Sequence, residues 1–259
     1  MDVAAALAAL KAAGTAQNRK IYTRHGAPAP LFGVSFAVLR GMGKQLGIDH
    51  ALARELWASG NTDARCLATL VGDPTRLDAD VADAWATATR YHVLADLVAE
   101  LVSRSPLAID RMSQWVASTD EWVARCGWAV MSQLATKQPD VPDAAFTPYL
   151  TIIERRIHDA PNRAREAMNG ALIAIGSRSA ELAAPALAAA RRIGPVEVDH
   201  GETGCQTFEA VSDIQKARAH AEGKAKPAAK AKPAAKAKPA AKAKAKATPT
   251  PTPTPTRRR

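Results

Sequence analysis

The sequence predicts an all-α solenoid, a row of paired helices curving into a superhelix, followed by a disordered basic C-terminal tail. Three observations carry this prediction. Apolar residues make up 47% of the chain, largely as alanine, the residue with the highest helix propensity. They recur at helical spacing, with no convincing alternating strand. Helix pairs recur about every 30 to 40 residues, the mark of stacked units that bury a continuous core between neighbours.

The elements follow in order. Residues 2–13 read as an amphipathic helix capped by Asp2. The first fourteen residues lack the basic start and cleavage pattern of a secretion signal. Further helices are expected over 34–46, 49–59, 62–71, 78–89, 92–104, 106–117, 120–136, 142–158, 161–176 and 180–192. In the stretch ELWASGNTDARCLATLVGDP (55–74), Gly60 suits the left-handed end of one helix. Thr62 offers an N-cap oxygen for the next, with Asp63 at its positive end. Pro106, Pro142 and Pro161 fall at helix starts, where a missing N–H costs little. Gly72-Asp73-Pro74 and Gly176-Ser177 read as stops. Trp57, Trp85, Trp115, Trp122 and Trp128 read first as core residues between repeats.

Charge divides the chain in two. The net charge is +10, but nine lysines and three arginines follow Glu222 with no acidic residue among them, leaving residues 1–222 at −2. AKPAAK occurs three times, at 225–230, 231–236 and 237–242, before a Thr-Pro alternation from Thr248 to Thr256. Such a segment has too little apolar surface to bury, and its prolines interrupt helix. The expected organisation is therefore a folded unit over 1–216 and a disordered tail over 217–259. The tail is similar to the lysine-alanine-proline tails of linker histones and some bacterial nucleoid proteins. Lys226, Lys232 and Lys238, one in each repeat, are candidate phosphate contacts. They would bind through counterion release, which is salt-sensitive and blind to sequence. A purely solubilising tail is the alternative.

Several function classes lose support. No run of 18 apolar residues suggests a membrane span. Cys66, Cys126 and Cys205 are far apart and form no CxxC pair, as in a cytosolic protein with reduced thiols. Nucleophile motifs and phosphate loops are absent. No cofactor or metal is implied. The expected setting is cytoplasmic and nucleoid-associated, and the solenoid form suggests a monomer.

The wording of 55–74, of DEWVARCGWAVMSQLA (120–135) and of REAMNGALIAIGSRS (165–179) resembles the AlkD-like DNA alkylation repair family, the HEAT-like repeat DNA glycosylases. The resemblance covers roughly residues 18–195 and implies a HEAT-like fold whose second helices line a concave DNA-binding surface. Family glycosylases remove positively charged alkylated bases, using a carboxylate to stabilise a sugar with oxocarbenium character. Within RYHVLADLVAEL (90–101), Asp96 matches that carboxylate, and His92 stands where active relatives carry tryptophan. His92 and Asp96 lie at i and i+4, within reach of a mutual hydrogen bond. The second family aromatic falls at Gly170, and the family arginine is retained at Arg125, where a phosphate contact is expected. An aromatic face stabilises a cation by about 0.5–2 kcal/mol, so losing two would slow such chemistry by roughly one to three decades. Two readings stay open: a weak glycosylase for N3- and N7-alkylated purines dependent on Asp96, and a noncatalytic protein that holds branched or distorted DNA, in which Asp96 is an ordinary helix carboxylate paired with a neighbour such as His92 or Arg125. A nucleoid-localised protein-binding scaffold is a third.

Arg155, Arg156, Arg163 and Arg165 cluster around the loop at 159–162 as further candidate phosphate contacts. The segment GPVEVDHGETGCQTFEA (194–210) brings Asp199, His200, Glu202 and Cys205 close together, but at no standard zinc spacing. A cap closing the last repeat, a partner contact and a metal site are its three readings, and the turn-forming glycines favour the cap.

Overall fold

The computed structural model describes residues 1–225. Lys226, Lys232, Lys238 and the tail reading beyond residue 225 lie outside the described residues. Within them the chain forms α1 (Val3–Ala13), α2 (Ala16–Arg24), α3 (Phe36–Leu46), α4 (His50–Ala58), α5 (Thr62–Val71), α6 (Ala79–Ala88) and α7 (His92–Val102). It continues with α8 (Ala108–Trp115), α9 (Glu121–Lys137), α10 (Thr147–Arg156), α11 (Asn162–Arg178), α12 (Ala180–Ile193) and α13 (Ala210–Ala225). No strand occurs among the described residues.

From α4 onward the helices pair, α4 with α5 through α12 with α13. The second members α5, α7, α9, α11 and α13 pack on one another in sequence as a single inner row. Their apolar faces explain why: Leu67, Val98, Val130, Leu172 and Ile214 are all fully buried. Trp57, Trp85, Trp115 and Trp128 are core residues, as expected, whereas Trp122 is only half-buried. Trp57 and Trp85, on the first helices of adjacent pairs, stack with centroids 4.2 Å apart and planes inclined by 4°. Asp83 ties α6 to α8, accepting from Trp115 Nε1 at 2.7 Å and Arg111 at 2.6 Å.

Two helices escape the sequence pattern. The nine-residue α2 has no buried residue, so no apolar stripe announces it. In α13, Ile214 is the one fully buried apolar side chain among the described residues. That helix also carries ordered structure through the expected boundary at 216–217 to Ala225.

Local readings are corrected as well. Gly60 has φ of 72° and ends α4 as expected. The cap of α5 is Asn61, whose side chain accepts from Ala64 N at 3.1 Å. The Thr62 hydroxyl instead donates to Pro28 O at 2.7 Å. Asp63 is 2% exposed and accepts from the backbone N–H groups of Phe32, Gly33 and Val34 at 2.6, 3.1 and 2.8 Å. It is a buried anchor for the incoming loop.

Gly176 does not stop a helix, because α11 runs through to Arg178. A Cβ there would lie 2.8 Å from both Ala186 Cβ and Ile214 Cδ1, so this glycine lets α12 and α13 approach. Gly176→Ala is expected to cost about 1–3 kcal/mol by overpacking, read as a lowered midpoint in thermal unfolding. An unchanged midpoint would mean the two helices yield freely. Two residues on, Arg178 donates to the carbonyls of Leu134, Ala135, Gln138, Pro139 and Val141. It thereby satisfies the open C-terminal end of α9.

Candidate functional site

The inner row carries a cavity of about 380 Å³ on α7, α9 and α11. Its floor is an ion network. Arg125 on α9 is 5% exposed and reaches both neighbouring helices. One guanidinium nitrogen meets Asp96 on α7, at 3.0 and 3.2 Å to the two carboxylate oxygens. The other meets Glu166 on α11 at 2.7 Å and Arg163 O at 3.2 Å. Arg163 adds its own contact to Glu166 at 3.1 Å. The sequence separations, 29 residues to Asp96 and 41 to Glu166, are bridged by the packing of α7, α9 and α11.

Asp96 therefore takes Arg125 as its partner. The expected hydrogen bond between His92 and Asp96 is not among those formed by the described residues. His92 faces the same cavity beside His25 and Tyr91, with ring centroids at 6.3 and 5.0 Å. Arg125 is enclosed between two carboxylates, an arrangement different from a side chain projecting toward phosphate.

These surroundings set the charges. The helix walls partly desolvate Asp96, whose side chain stays 49% accessible through the open side of the cavity. This desolvation raises its pKa above the ordinary carboxylate range; Arg125 opposes the rise and Glu166 adds to it. Desolvation would raise Glu166 too, but Arg125 and Arg163 outweigh it and hold that carboxyl low. Burial, aided by Arg125, Arg163 and His25, lowers His92 to about 4, so its imidazole is neutral at pH 7.

A folded-state pKa depressed below the unfolded value of about 6.5 contributes stability that is present above 6.5. It is lost as pH falls through about 4. Denaturant unfolding at several pH values should thus show stability falling across pH 6.5 to 4, with a shallower slope in His92→Gln. Equal slopes would remove His92 as a source of that dependence.

The rim is built by the segment between α12 and α13. Asn162 holds it at Asp199, donating to the carbonyl at 2.8 Å and accepting from the N–H at 2.7 Å. Arg165 donates to Glu197 O at 3.0 Å and Ala160 O at 2.9 Å. His200 Nδ1 lies 3.9 Å from Glu166, and its Nε2 is 3.1 Å from Thr207 Oγ1. Asn169 Nδ2 donates to Phe208 O at 2.8 Å. Among the described residues, Asp199, His200, Glu202 and Cys205 form no metal-ligand cluster. The segment is a structured rim over α11.

The four arginines around 159–162 divide. Arg155 and Arg156 are exposed on α10, outside the cavity, whereas Arg163 and Arg165 are engaged within the network and the rim. Burial raises the Cys126 thiol to about 12, which leaves it an inert packing residue. Sequence reasoning missed Glu166, Gln133, Asn169 and Phe208, which all line the cavity. One clue to the network was available: Arg125 is a lone cation in the apolar run WVARCGWAV, a setting that demands a buried partner.

Similar proteins share this frame. A solved structure from a family of proteins related to the HEAT-like repeat DNA glycosylases, with affinity for branched DNA structures, matches at a TM-score of 0.79 and 29% identity. The match covers 85% of this chain and 95% of that one. Uncharacterized proteins of Listeria innocua and Listeria monocytogenes are 29% and 28% identical, each over 77% of this chain and 89% of its own length. Residues 6–210 match the family described as DNA alkylation repair enzyme. With that match spanning most of its folded length, the chain belongs to the DNA alkylation repair enzyme family.

Proposed function

We propose that this protein binds DNA through the inner-helix face and prefers branched or distorted DNA to a straight duplex. The observation that carries this reading is the cavity itself. It keeps the family's carboxylate and arginine at Asp96 and Arg125 but locks them to each other, while His92 and the open space at Gly170 leave it without the two aromatic faces of active relatives. A surface so altered retains the shape of a DNA-binding solenoid with weakened means for bond cleavage. The related structure's affinity for branched DNA points the same way. Arg155 and Arg156, exposed at the C-terminal end of the outer-row helix α10, are proposed as flanking phosphate contacts beside that face. Lys226, Lys232 and Lys238, which follow α13 in the sequence, serve as a nonspecific tether. Arg163 and Arg165 position the cavity wall. The protein acts as a monomer, in the cytoplasm and on the nucleoid.

Residues 1–225 should bind a four-way junction more tightly than a linear duplex of equal length at fixed salt. Equal affinities, or loss of all binding without the tail, would reject the reading in favour of a scaffold localised by its tail.

One observation favours a second reading, a slow alkylpurine glycosylase. The Asp96 carboxylate remains accessible to the cavity, where it can stabilise a cationic sugar. Incubation with duplex DNA carrying N7-methylguanine, beside Asp96→Asn, decides between the two. Asp96-dependent base release establishes the enzyme, and no release leaves structure binding alone.

A further inference from the structure

The exposed stripe of α7 continues beyond the cavity. Glu100 lies one turn past Asp96, and on α9 Lys137 lies one turn past Gln133, so both stand on the inner face at its C-terminal edge. Lys137 Nζ is 3.6 Å from one Glu100 oxygen, and Arg40 Nη2 on α3 is 4.0 Å from the other. Three helices thus meet over a single carboxylate. Lys44 is exposed one turn along α3 from Arg40. Arg104 follows the end of α7 and gives its Nε to the Glu100 carbonyl at 3.2 Å.

Charge separates this edge from the cavity. In the cavity Arg125 and Arg163 are matched by Asp96 and Glu166, whereas here Arg40, Lys44, Arg104 and Lys137 outnumber Glu100. Both ion pairs to Glu100 are longer than a hydrogen bond, and the Arg40 and Lys137 side chains are each 59% exposed. Such loose, solvated pairs add little to folding. Lys44 and Lys137 occupy last turns, where a cation also offsets the helix dipole. Arg40 stands further from its helix end and has no such duty. Loose pairing keeps both cations on the inner face with N–H donors to spare.

We propose that the phosphates of one DNA strand cross this edge, gripped by Arg40, Lys44, Arg104 and Lys137, and that Glu100 is a built-in competitor whose carboxylate a phosphate displaces from Arg40 and Lys137. The inference rests on the DNA-binding reading above and deepens it. It moves the grip away from Arg125, which is enclosed by carboxylates, to the C-terminal edge of the same face. In the free protein Glu100 holds the two cations in place. Shorter charge-assisted bonds to phosphate then drive the exchange. Phosphate contacts carry no sequence information, and phosphates line branched and straight DNA alike. These residues therefore set affinity, while the shape of the inner face sets preference.

The test uses the full-length protein and fluorescence anisotropy, with a four-way junction and a linear duplex as probes over a series of salt concentrations. The tail is common to wild type and variants, so differences between them report the body. Arg40→Ala and Lys137→Ala should each weaken binding to both probes and reduce the slope of log affinity against log salt by roughly 0.9. Glu100→Gln should do the opposite, because it frees two cations and removes a charge that repels phosphate. Its binding should tighten by roughly 2- to 5-fold, the scale of one exposed ion pair. Arg192→Ala is the control. It removes an equally exposed arginine, paired with Glu154 on the outer helices, and should leave the slope unchanged. Arg40→Ala and Lys137→Ala proteins with the wild-type slope would overturn the proposal, as would Glu100→Gln binding no tighter than wild type. In either case a wild type that prefers the junction leaves the DNA-binding reading standing. A wild type that binds neither probe would remove both.

Discussion

Replacing Asp63 by alanine is expected to destabilise the protein by about 3–6 kcal/mol, the largest effect of any single polar substitution considered for this fold. The carboxylate is 2% exposed and accepts three backbone N–H groups, from Phe32, Gly33 and Val34. Alanine leaves all three donors of the loop entering α3 without their partner, at about 1–3 kcal/mol for each that stays buried. The loop has little freedom to find new ones. Gly33 sits at φ of 82°, and a Cβ there would lie 2.6 Å from Arg19 N and Thr15 O, so α2 and the loop are packed backbone against backbone. A loss of this size is a large part of the 5–15 kcal/mol typical of a domain. Urea unfolding of Asp63→Ala measures it, and a shift below about 1 kcal/mol would mean that water takes over the three donors. Asp63→Asn, which keeps one acceptor oxygen, should fall between the two.

Arg125→Leu should cost about 2–4 kcal/mol, below the range of a fully buried pair, because Glu166 is left largely desolvated without its cation while the half-accessible Asp96 is screened by solvent. The effect carries a pH signature. Without Arg125, the folded-state pKa values of Asp96 and Glu166 both rise. A raised carboxylate pKa favours the folded state at low pH and penalises it above that pKa. For Asp96 this adds to an existing upward shift; for Glu166 it reverses a downward one. The gap between wild type and Arg125→Leu should therefore narrow as pH falls from 8 to 5. A gap independent of pH would show that the variant suffers from packing rather than from unpaired charge. Arg125→Lys should rescue poorly, since one ammonium cannot replace a planar fork that reaches α7 and α11 at once.

Much of the inner row was legible in the chain. From α3 to α12 each helix carries an apolar stripe dense enough to set its period. Starts are legible where a side chain caps, as at Asp49, Asp78, Asp120 and Ser179. They are less so at α10, which begins at Thr147 rather than 142 because Asp143–Ala145 form a separate 3-10 turn. The elements that failed have no such stripe: α2 buries nothing and, among the described residues, α13 fully buries only Ile214 of its apolar side chains. Gly176 misled because a glycine for close approach and a glycine for termination look identical in one dimension. Asp63 misled for a related reason. An acidic residue in the first turn of a helix is ordinarily explained by the helix itself, and nothing local reveals a loop 30 residues upstream. In the cavity, the resemblance marked Asp96, His92, Gly170 and Arg125 individually. It could not say that Arg125 would be enclosed by Asp96 and Glu166, since that depends on which faces of α7, α9 and α11 meet. Phe208 lay in a segment without periodicity, and its place on the rim follows from its hydrogen bond to Asn169.

The stacked indoles of Trp57 and Trp85 have a practical consequence. Two chromophores held face to face in nearly parallel planes couple their electronic transitions, and the coupling vanishes as soon as the repeats that carry them part. The resulting circular dichroism couplet is a reporter of one joint between neighbouring repeats, distinct from the signal of total helix content. A solenoid's stability is a sum of repeat and nearest-neighbour terms. Comparing the couplet with the helical signal during unfolding thus tells whether the stack comes apart stepwise from its N-terminal end or dissolves as a single cooperative unit.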